Sequence, residues 1–155
     1  LPHLTGDWRL DIAGDGPVRP QIEALMDRFG DRVRFLGQLD RDALAAAYHG
    51  ASLFFWPGVN EGFGMVYLEA QAAGLPVVAQ NRPGVRDVLD PTASYPTPAA
   101  GPAALGAEIN HLLADNTLRQ SRGVDARNRI ADHHLLSRAR ARFWDGVTPL
   151  MERFA

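Results

Sequence analysis

The chain has 155 residues, a formal net charge of −2 and 46% apolar residues, which allows one domain with a core of its own. The negative charge argues against nucleic-acid binding, no apolar run approaches the roughly 18 residues of a membrane span, and the absence of cysteine excludes disulfides and thiolate metal sites. The first residues have no basic region followed by an apolar stretch, as a signal peptide would. We therefore expect a cytoplasmic, bacterial protein.

The first half of the chain alternates strand patterns with helix patterns. Alternating apolar and polar residues predict a strand over 8–13, and the turn over 14–17 precedes a helix that Gly30 can end. Further along, the patterns predict a strand over 33–36, a helix capped by Asp40, a buried strand over 53–56, a helix from near Gly64 to Gly74 and a strand over 76–79.

The second half is mostly helical by its pattern. We expect a short helix over 84–89, then a proline-rich loop over 91–102 with a brief strand near Ser94 and Tyr95. Three helices follow over 103–114, 116–131 and 137–154, with Asn116 and Ser137 as caps and with Pro149 kinking or dividing the last one. Strands that alternate with helices predict an α/β fold, a Rossmann-like parallel sheet with helices on both faces. Ligands bind such sheets at the carboxyl ends of the strands.

One segment, residues 61–74, carries most of the chemical information. Two glutamates stand eight positions apart, Glu61 in a loop with two glycines and Glu69 inside the following helix. The unpaired N–H groups and the dipole of a helix that begins near Gly64 favour an anion, most often phosphate. Gly62 and Gly64 let such a ligand approach the backbone.

The two carboxylates suit hydroxyl groups on either side of that anion. Glu69 can accept hydrogen bonds from the neighbouring hydroxyls of a ribose, a diphosphate would lie over Gly62 to Gly64, and Glu61 would face a sugar. Taken separately, each feature has a structural alternative, because a glutamate at a helix start is a favourable charge and one inside a helix is usually solvated. Their combination favours a nucleotide-sugar site.

The sequence of residues 57–79, PGVNEGFGMVYLEAQAAGLPVVA, resembles the signature of retaining glycosyltransferases of the GT-B type, family 4 (glycosyl transferases group 1). The flanking segments WRLDIAGDGP (8–17), VRFLG (33–37) and ASLFFWP (51–57) agree with it. The resemblance covers residues 5–90 closely and implies the C-terminal, donor-binding domain of a GT-B hexosyltransferase, with its first strand and helix missing.

The resemblance also implies roles for single residues. Glu61 would lie at the sugar as the catalytic residue, and Glu69 would bind the ribose. The amides of Gly62, Phe63 and Gly64 would meet the diphosphate. Gly14, Gly16 and Gly37 would lie near the base and the phosphates. The substrate would be a nucleoside diphosphate sugar, with no cofactor and no metal.

Three parts of the family pattern are absent. We find no N-terminal acceptor domain and no Arg and Lys segment that would neutralise the leaving group, so we expect residues 1–155 to form a single donor-binding domain of a two-domain enzyme, inactive alone. Membrane association would come only through regions outside this sequence. After Ala79 the usual second glycine pair is replaced, and Arg82 or Arg86 would either supply phosphate charge or be surface arginines. The alternative is a nucleotide-sugar binding or interaction module without catalysis.

Overall fold

The computed structural model describes residues 1–58, 64–91 and 93–152, with the backbone alone at 152. Its elements follow the chain as β1 (Leu10–Ala13), α1 (Arg19–Met26), a 3-10 segment (Asp27–Arg32), β2 (Val33–Gly37), α2 (Arg41–Gly50), β3 (Phe54–Trp56), α3 (Met65–Ala72), β4 (Val77–Ala79), a 3-10 turn (Pro98–Ala100), α4 (Gly101–Ala114), α5 (Asn116–Arg129), a π-helical turn (Ile130–His134) and α6 (Leu136–Glu152).

The strands are parallel, as the alternating pattern predicts. β1 pairs with β2, with Leu10 opposite Val33, and β3 pairs with β4, with Phe54 opposite Val77. Over the described residues these are two separate two-stranded sheets. The α/β fold class is confirmed, and each pair has the strand–helix–strand connection that a parallel arrangement requires.

Local sequence signals explain several element ends. The Asp40 side chain accepts a hydrogen bond from the Ala43 amide at 2.8 Å and caps α2. Pro20 lies in the first turn of α1, where its missing N–H costs little. Gly30 has a positive φ of 55° at the bend before β2, a conformation that favours glycine.

The buried core lies in the second half of the chain. One cluster joins α3 and β4 to the turn that follows β4, and its buried members are Tyr67, Ala70, Leu75, Val77, Ala79, Val85, Val88 and Leu89. A second cluster packs α4 against β4 through Val78, Leu105, Ile109 and Leu112. Val78 and its two neighbours in β4 therefore pack on both faces of the strand, as a strand between two helical layers does.

The chain start is attached to α4 by one side chain. Asn110 accepts from the Thr5 amide at 3.0 Å and donates to the His3 carbonyl at 2.8 Å. A Cβ on Gly106 would come within 2.6 Å of the His3 Cβ, so the segment lies directly on the helix at its glycine. None of the described helices is long and apolar enough to cross a membrane.

Several predicted details of the second half are wrong. Residues 84–89 form consecutive turns, in which Val85 bonds to Arg82 and Leu89 to Val85, and no strand forms at 94–95. Asp115 caps α5 by accepting from the Leu118 amide, because it stands three residues before that N–H, whereas Asn116 lies inside the helix. α4 begins at Gly101, and Ser137 lies in the first turn of α6, which continues past Pro149 without division.

Candidate functional site

The two loops that follow β1 and β2 meet at the carboxyl ends of these strands. The Gly14 amide donates to the Gly37 carbonyl at 2.7 Å, with φ of 124° at Gly14 and 67° at Gly37. Residues with side chains rarely adopt these angles. Gly16 follows with its amide bonded to the Asp15 carboxylate at 2.7 Å. The structure thus brings together three glycines that the sequence singled out.

A cation at this turn was missed by the sequence reasoning. The Arg19 guanidinium donates to Glu23 at 2.7 Å and to Asp15 at 3.2 Å, and a Cβ on Gly37 would lie 3.4 Å from its Nη1. The hydrogen bond to Glu23 and the charges of both carboxylates raise the Arg19 pKa. The i, i+4 spacing of Asp15, Arg19 and Glu23 was the available signal.

Gly64 ends the predicted loop that contains Glu61 and is the N-cap of α3. Its φ of 70° and ψ of 55° are left-handed. A Cβ here would come within 2.6 Å of the Tyr67 ring. Glycine is therefore required at residue 64 by backbone angle and by packing, whether or not a ligand approaches it.

Glu69 lies on the exposed side of α3, because the buried side of that helix consists of Tyr67, Ala70 and Gln71. The Gln71 amide nitrogen donates to the Tyr67 carbonyl at 3.0 Å and to the Val88 carbonyl at 2.8 Å, which attaches the helix to the turn after β4. Packing of the buried side thus fixes the direction in which Glu69 faces solvent.

Among the described residues, Glu69 has one side-chain partner from another element. The Tyr48 hydroxyl, in the last turn of α2, donates to Glu69 Oε2 at 3.1 Å. Burial, the hydrogen bond to Glu69 and the charge of that carboxylate raise the pKa of Tyr48 to about 12. The phenol is therefore a neutral donor at physiological pH, and in the described part of the chain no cation forms an ion pair with Glu69.

Arg82 and Arg86 follow β4 and are each bonded to a neutral amide. Arg82 donates twice to Gln80 Oε1, at 3.0 and 2.6 Å, and Arg86 donates to Asn81 Oδ1 at 3.2 Å. No carboxylate lies within ion-pair distance of either guanidinium among the described residues. A cavity of about 250 Å³ lies beside Arg86, and it is lined by Asn81, Arg86, Leu89, Asp90, Pro91, Ala93 and Tyr95.

The remaining predicted residues lie outside the described ranges. Glu61, Gly62 and Phe63 are among them. The predicted sugar, ribose and diphosphate contacts, including those of Glu69 and Gly64, all stay predictions. The described part of the chain contains no group of three or more His, Asp or Glu side chains that could hold a metal ion. The prediction that no metal or cofactor takes part is likewise untested.

Comparison with known proteins decides the family. The model of the glycosyl transferases group 1 matches residues 1–115. This chain belongs to that family. The relatives include the phosphatidyl-myo-inositol mannosyltransferase of Mycobacterium leprae, 37% identical over 74% of this chain and 31% of the relative. They also include the GDP-mannose-dependent alpha-mannosyltransferase of Mycolicibacterium smegmatis, 34% identical over 80% of this chain and 32% of the relative.

The fold comparison agrees with the family. The chain superimposes on HepE of Anabaena, crystallised with UDP and glucose, with a TM-score of 0.78 over 94% of this chain and 42% of that protein. At 19% identity this similarity concerns the fold alone. The GT-B resemblance of the sequence is confirmed. The chain spans about a third of the length of the two mannosyltransferases.

Proposed function

We propose that this chain is the donor-binding part of a retaining hexosyltransferase that moves a sugar from a nucleoside diphosphate sugar to an acceptor hydroxyl. The observation that carries the proposal is the family match over residues 1–115, combined with a helix that begins at the left-handed Gly64 and carries an exposed carboxylate at Glu69. A helix start of this kind suits phosphate, and a carboxylate one turn further along suits a vicinal diol.

In the proposed arrangement, Glu69 binds the ribose, the amides of residues 62–64 bind the diphosphate, and Glu61 contacts the sugar. The acceptor oxygen bonds to the anomeric carbon, the bond from that carbon to the diphosphate breaks, and the leaving phosphate takes the acceptor proton on the same face. The anomeric configuration is thereby kept. Arg82 and Arg86, which have no carboxylate partner among the described residues, are candidates to offset the diphosphate charge.

We further propose that the 155 residues bind donor without transferring the sugar. The two mannosyltransferases are about three times as long as the region they share with this chain, and the acceptor would bind to parts of the enzyme outside this sequence. The same observation supports the second candidate function, a nucleotide-sugar binding module without catalysis. A cytoplasmic location and metal-independent chemistry belong to this proposal as predictions.

Calorimetry with UDP, GDP and ADP tests the binding site. We expect one of these nucleotides to bind and Glu69→Ala to weaken its binding by roughly 1.5–3 kcal/mol, the value of a charge-assisted hydrogen bond. Asp125→Ala is the matched control, because it removes an exposed carboxylate from another helix, α5. Binding of no nucleotide, or equal losses in both variants, would contradict the proposed site.

Chromatographic detection of released nucleoside diphosphate tests transfer. The isolated 155 residues, mixed with a donor that they bind and with simple polyol acceptors, should release none above the rate of spontaneous hydrolysis. Release that depends on both acceptor and Glu61 would show that these residues suffice for transfer, and the second part of the proposal would be wrong.

A further inference from the structure

A single side-chain hydrogen bond joins α2 to the carboxylate of α3. The Tyr48 hydroxyl donates to Glu69 Oε2 at 3.1 Å across 21 residues of sequence. Glu69 is exposed, and an exposed glutamate on a helix normally samples several rotamers, which it loses only at a cost in conformational entropy. A donor at a fixed position would hold it in one of them.

The position of the Tyr48 hydroxyl is fixed by aromatic packing. The Tyr48 ring lies 5.8 Å from that of Phe54 in β3, at an interplanar angle of 59°. Phe54 in turn stacks on Trp56 at 6.1 Å and meets the edge of Tyr67 at 6.4 Å. Because Tyr67 belongs to the buried core, the phenol is attached to the rigid part of the molecule, and a rigid support is what an oriented binding group needs.

The hydrogen bond from Tyr48 leaves most of the acceptor positions of the Glu69 carboxylate open to a ligand. A carboxylate offers about four acceptor positions on two oxygens, and Tyr48 occupies one, on Oε2. A lysine or arginine in its place would neutralise the carboxylate, whereas a neutral phenol orients it and leaves its charge available. Two neighbouring hydroxyl groups can then donate to the remaining positions.

We propose that Tyr48 is a positioning residue that presents the Glu69 carboxylate to the vicinal hydroxyls of the nucleotide ribose. This inference rests on the proposed function, in which Glu69 is the ribose contact. The competing explanation is that the hydrogen bond only attaches α2 to α3 and stabilises the fold.

The ligand series distinguishes these explanations. The test uses three ligands: the nucleoside diphosphate that the unaltered chain binds best, its analogue that lacks both ribose hydroxyls, and inorganic pyrophosphate. Tyr48→Phe keeps the ring on Phe54 and removes only the hydroxyl. We expect it to weaken the binding of the nucleoside diphosphate about 3- to 10-fold, the net range of one hydrogen bond, because the carboxylate keeps its charge and loses only its fixed orientation. The affinities for the other two ligands should not change.

Two further variants keep the result interpretable. Tyr95→Phe removes another tyrosine hydroxyl, in the core packed around Val88, and should not change the ratio of affinities for the nucleotide and its analogue. In a Glu69→Gln background, Tyr48→Phe should cause little further loss, because the carboxylate that it positions is gone. Ratios within one variant are independent of the fraction that is folded.

Each outcome decides the question. A loss that appears with the nucleotide alone supports positioning. Equal losses of affinity for all three ligands would show that Tyr48 acts on the fold. Unchanged affinity in Tyr48→Phe, together with a clear loss in Glu69→Gln, would show that Glu69 needs no positioning. Either result overturns the inference while the proposed function stands. If the unaltered chain binds no nucleotide, the proposed function itself fails and the inference fails with it.

Discussion

Two regions of this chain carry similar apolar patterns but bury them very differently. In the first region, residues 1–58, Trp8 is the one buried hydrophobic side chain, and neither α1 nor α2 contains a buried residue. In the second region, here defined as residues 64–91 and 93–134, every residue of β4 is buried and both core clusters are found. The comparison separates the part that holds nearly all the fully buried side chains from the part that packs against them with half-buried ones.

The difference does not come from composition alone. β1 contains Leu10 and Ile12 at alternate positions, yet both stay half-exposed, and the β1–β2 pair is not hydrogen-bonded to β3 or β4. Parallel strands are normally covered on both faces, and β4 is covered in this way. The predicted nucleotide contacts lie in both regions, Gly14, Gly16 and Gly37 in the first and Gly64 and Glu69 in the second. The proposed binding would therefore depend on contacts that join the regions, such as that between Tyr48 and Glu69.

Replacing a leucine by alanine gives the largest expected difference in stability between the two regions. Leu112 in α4 is 1% exposed and Leu25 in α1 is 64% exposed. Leu112→Ala should lower the free energy of unfolding by about 2–5 kcal/mol, because it leaves a cavity in the core, whereas Leu25→Ala should change it by about 0.5 kcal/mol or less. Chemical denaturation measures both. Similar losses in the two variants would mean that the first region has a core of its own.

Replacing a glycine by alanine gives the next largest expected difference in stability between the two regions. Gly64→Ala places a Cβ at a positive φ and against the Tyr67 ring, and strain plus overpacking should cost about 2–4 kcal/mol of stability. The matched control is Gly16→Ala in the first region, since no heavy atom lies within 4 Å of the added Cβ. We expect it to unfold at nearly the same denaturant concentration as the unaltered chain. A Gly64→Ala variant that loses little stability would show that the Tyr67 ring can move away from the added Cβ.

The sequence predicted the first region well because its signals are local. The strand before Gly14, the Asp40 cap and the bend at Gly30 each depend on residues a few positions apart. The turn after β4 was predicted as a helix for the same reason, since Val85, Val88 and Leu89 have helical spacing. They are buried against α3 and β4 instead, and the Val88 carbonyl accepts from Gln71 rather than from its own segment.

The site could be predicted only at residues that belong to the family signature. Gly64 was singled out as a site where a ligand approaches, but its contact with Tyr67 depends on a ring three residues away whose direction only packing decides. Tyr48 lies in the helix that the sequence predicted after Asp40, and no role at the site was predicted for it. Its partner Glu69 stands 21 positions later, and no pattern of spacing indicates that α2 ends beside α3.

The titration of Tyr48 is the finest test of how the two regions are joined. Its pKa is raised to about 12 by burial first and by Glu69 second, so the folded state binds the phenolic proton more tightly than the unfolded chain, whose value is about 10. The resulting stability is fully present below pH 10 and is lost as the pH rises toward 12. Glu69→Gln removes the carboxylate charge but not the burial, and the Tyr48 pKa should then fall while remaining above 10.

Ultraviolet titration of tyrosinate measures this shift, and Tyr48→Phe identifies which transition belongs to residue 48. Burial raises the pKa of Tyr95 as well, so the difference between the unaltered chain and Tyr48→Phe, and not the position of a transition, assigns the signal of residue 48. If Glu69→Gln left the Tyr48 transition in place, the hydroxyl would not face the carboxylate in solution. The Tyr48 side chain would then reach α3 only through its packing on Phe54, which contacts Tyr67, and Glu69 would meet its ligand without a fixed neighbour.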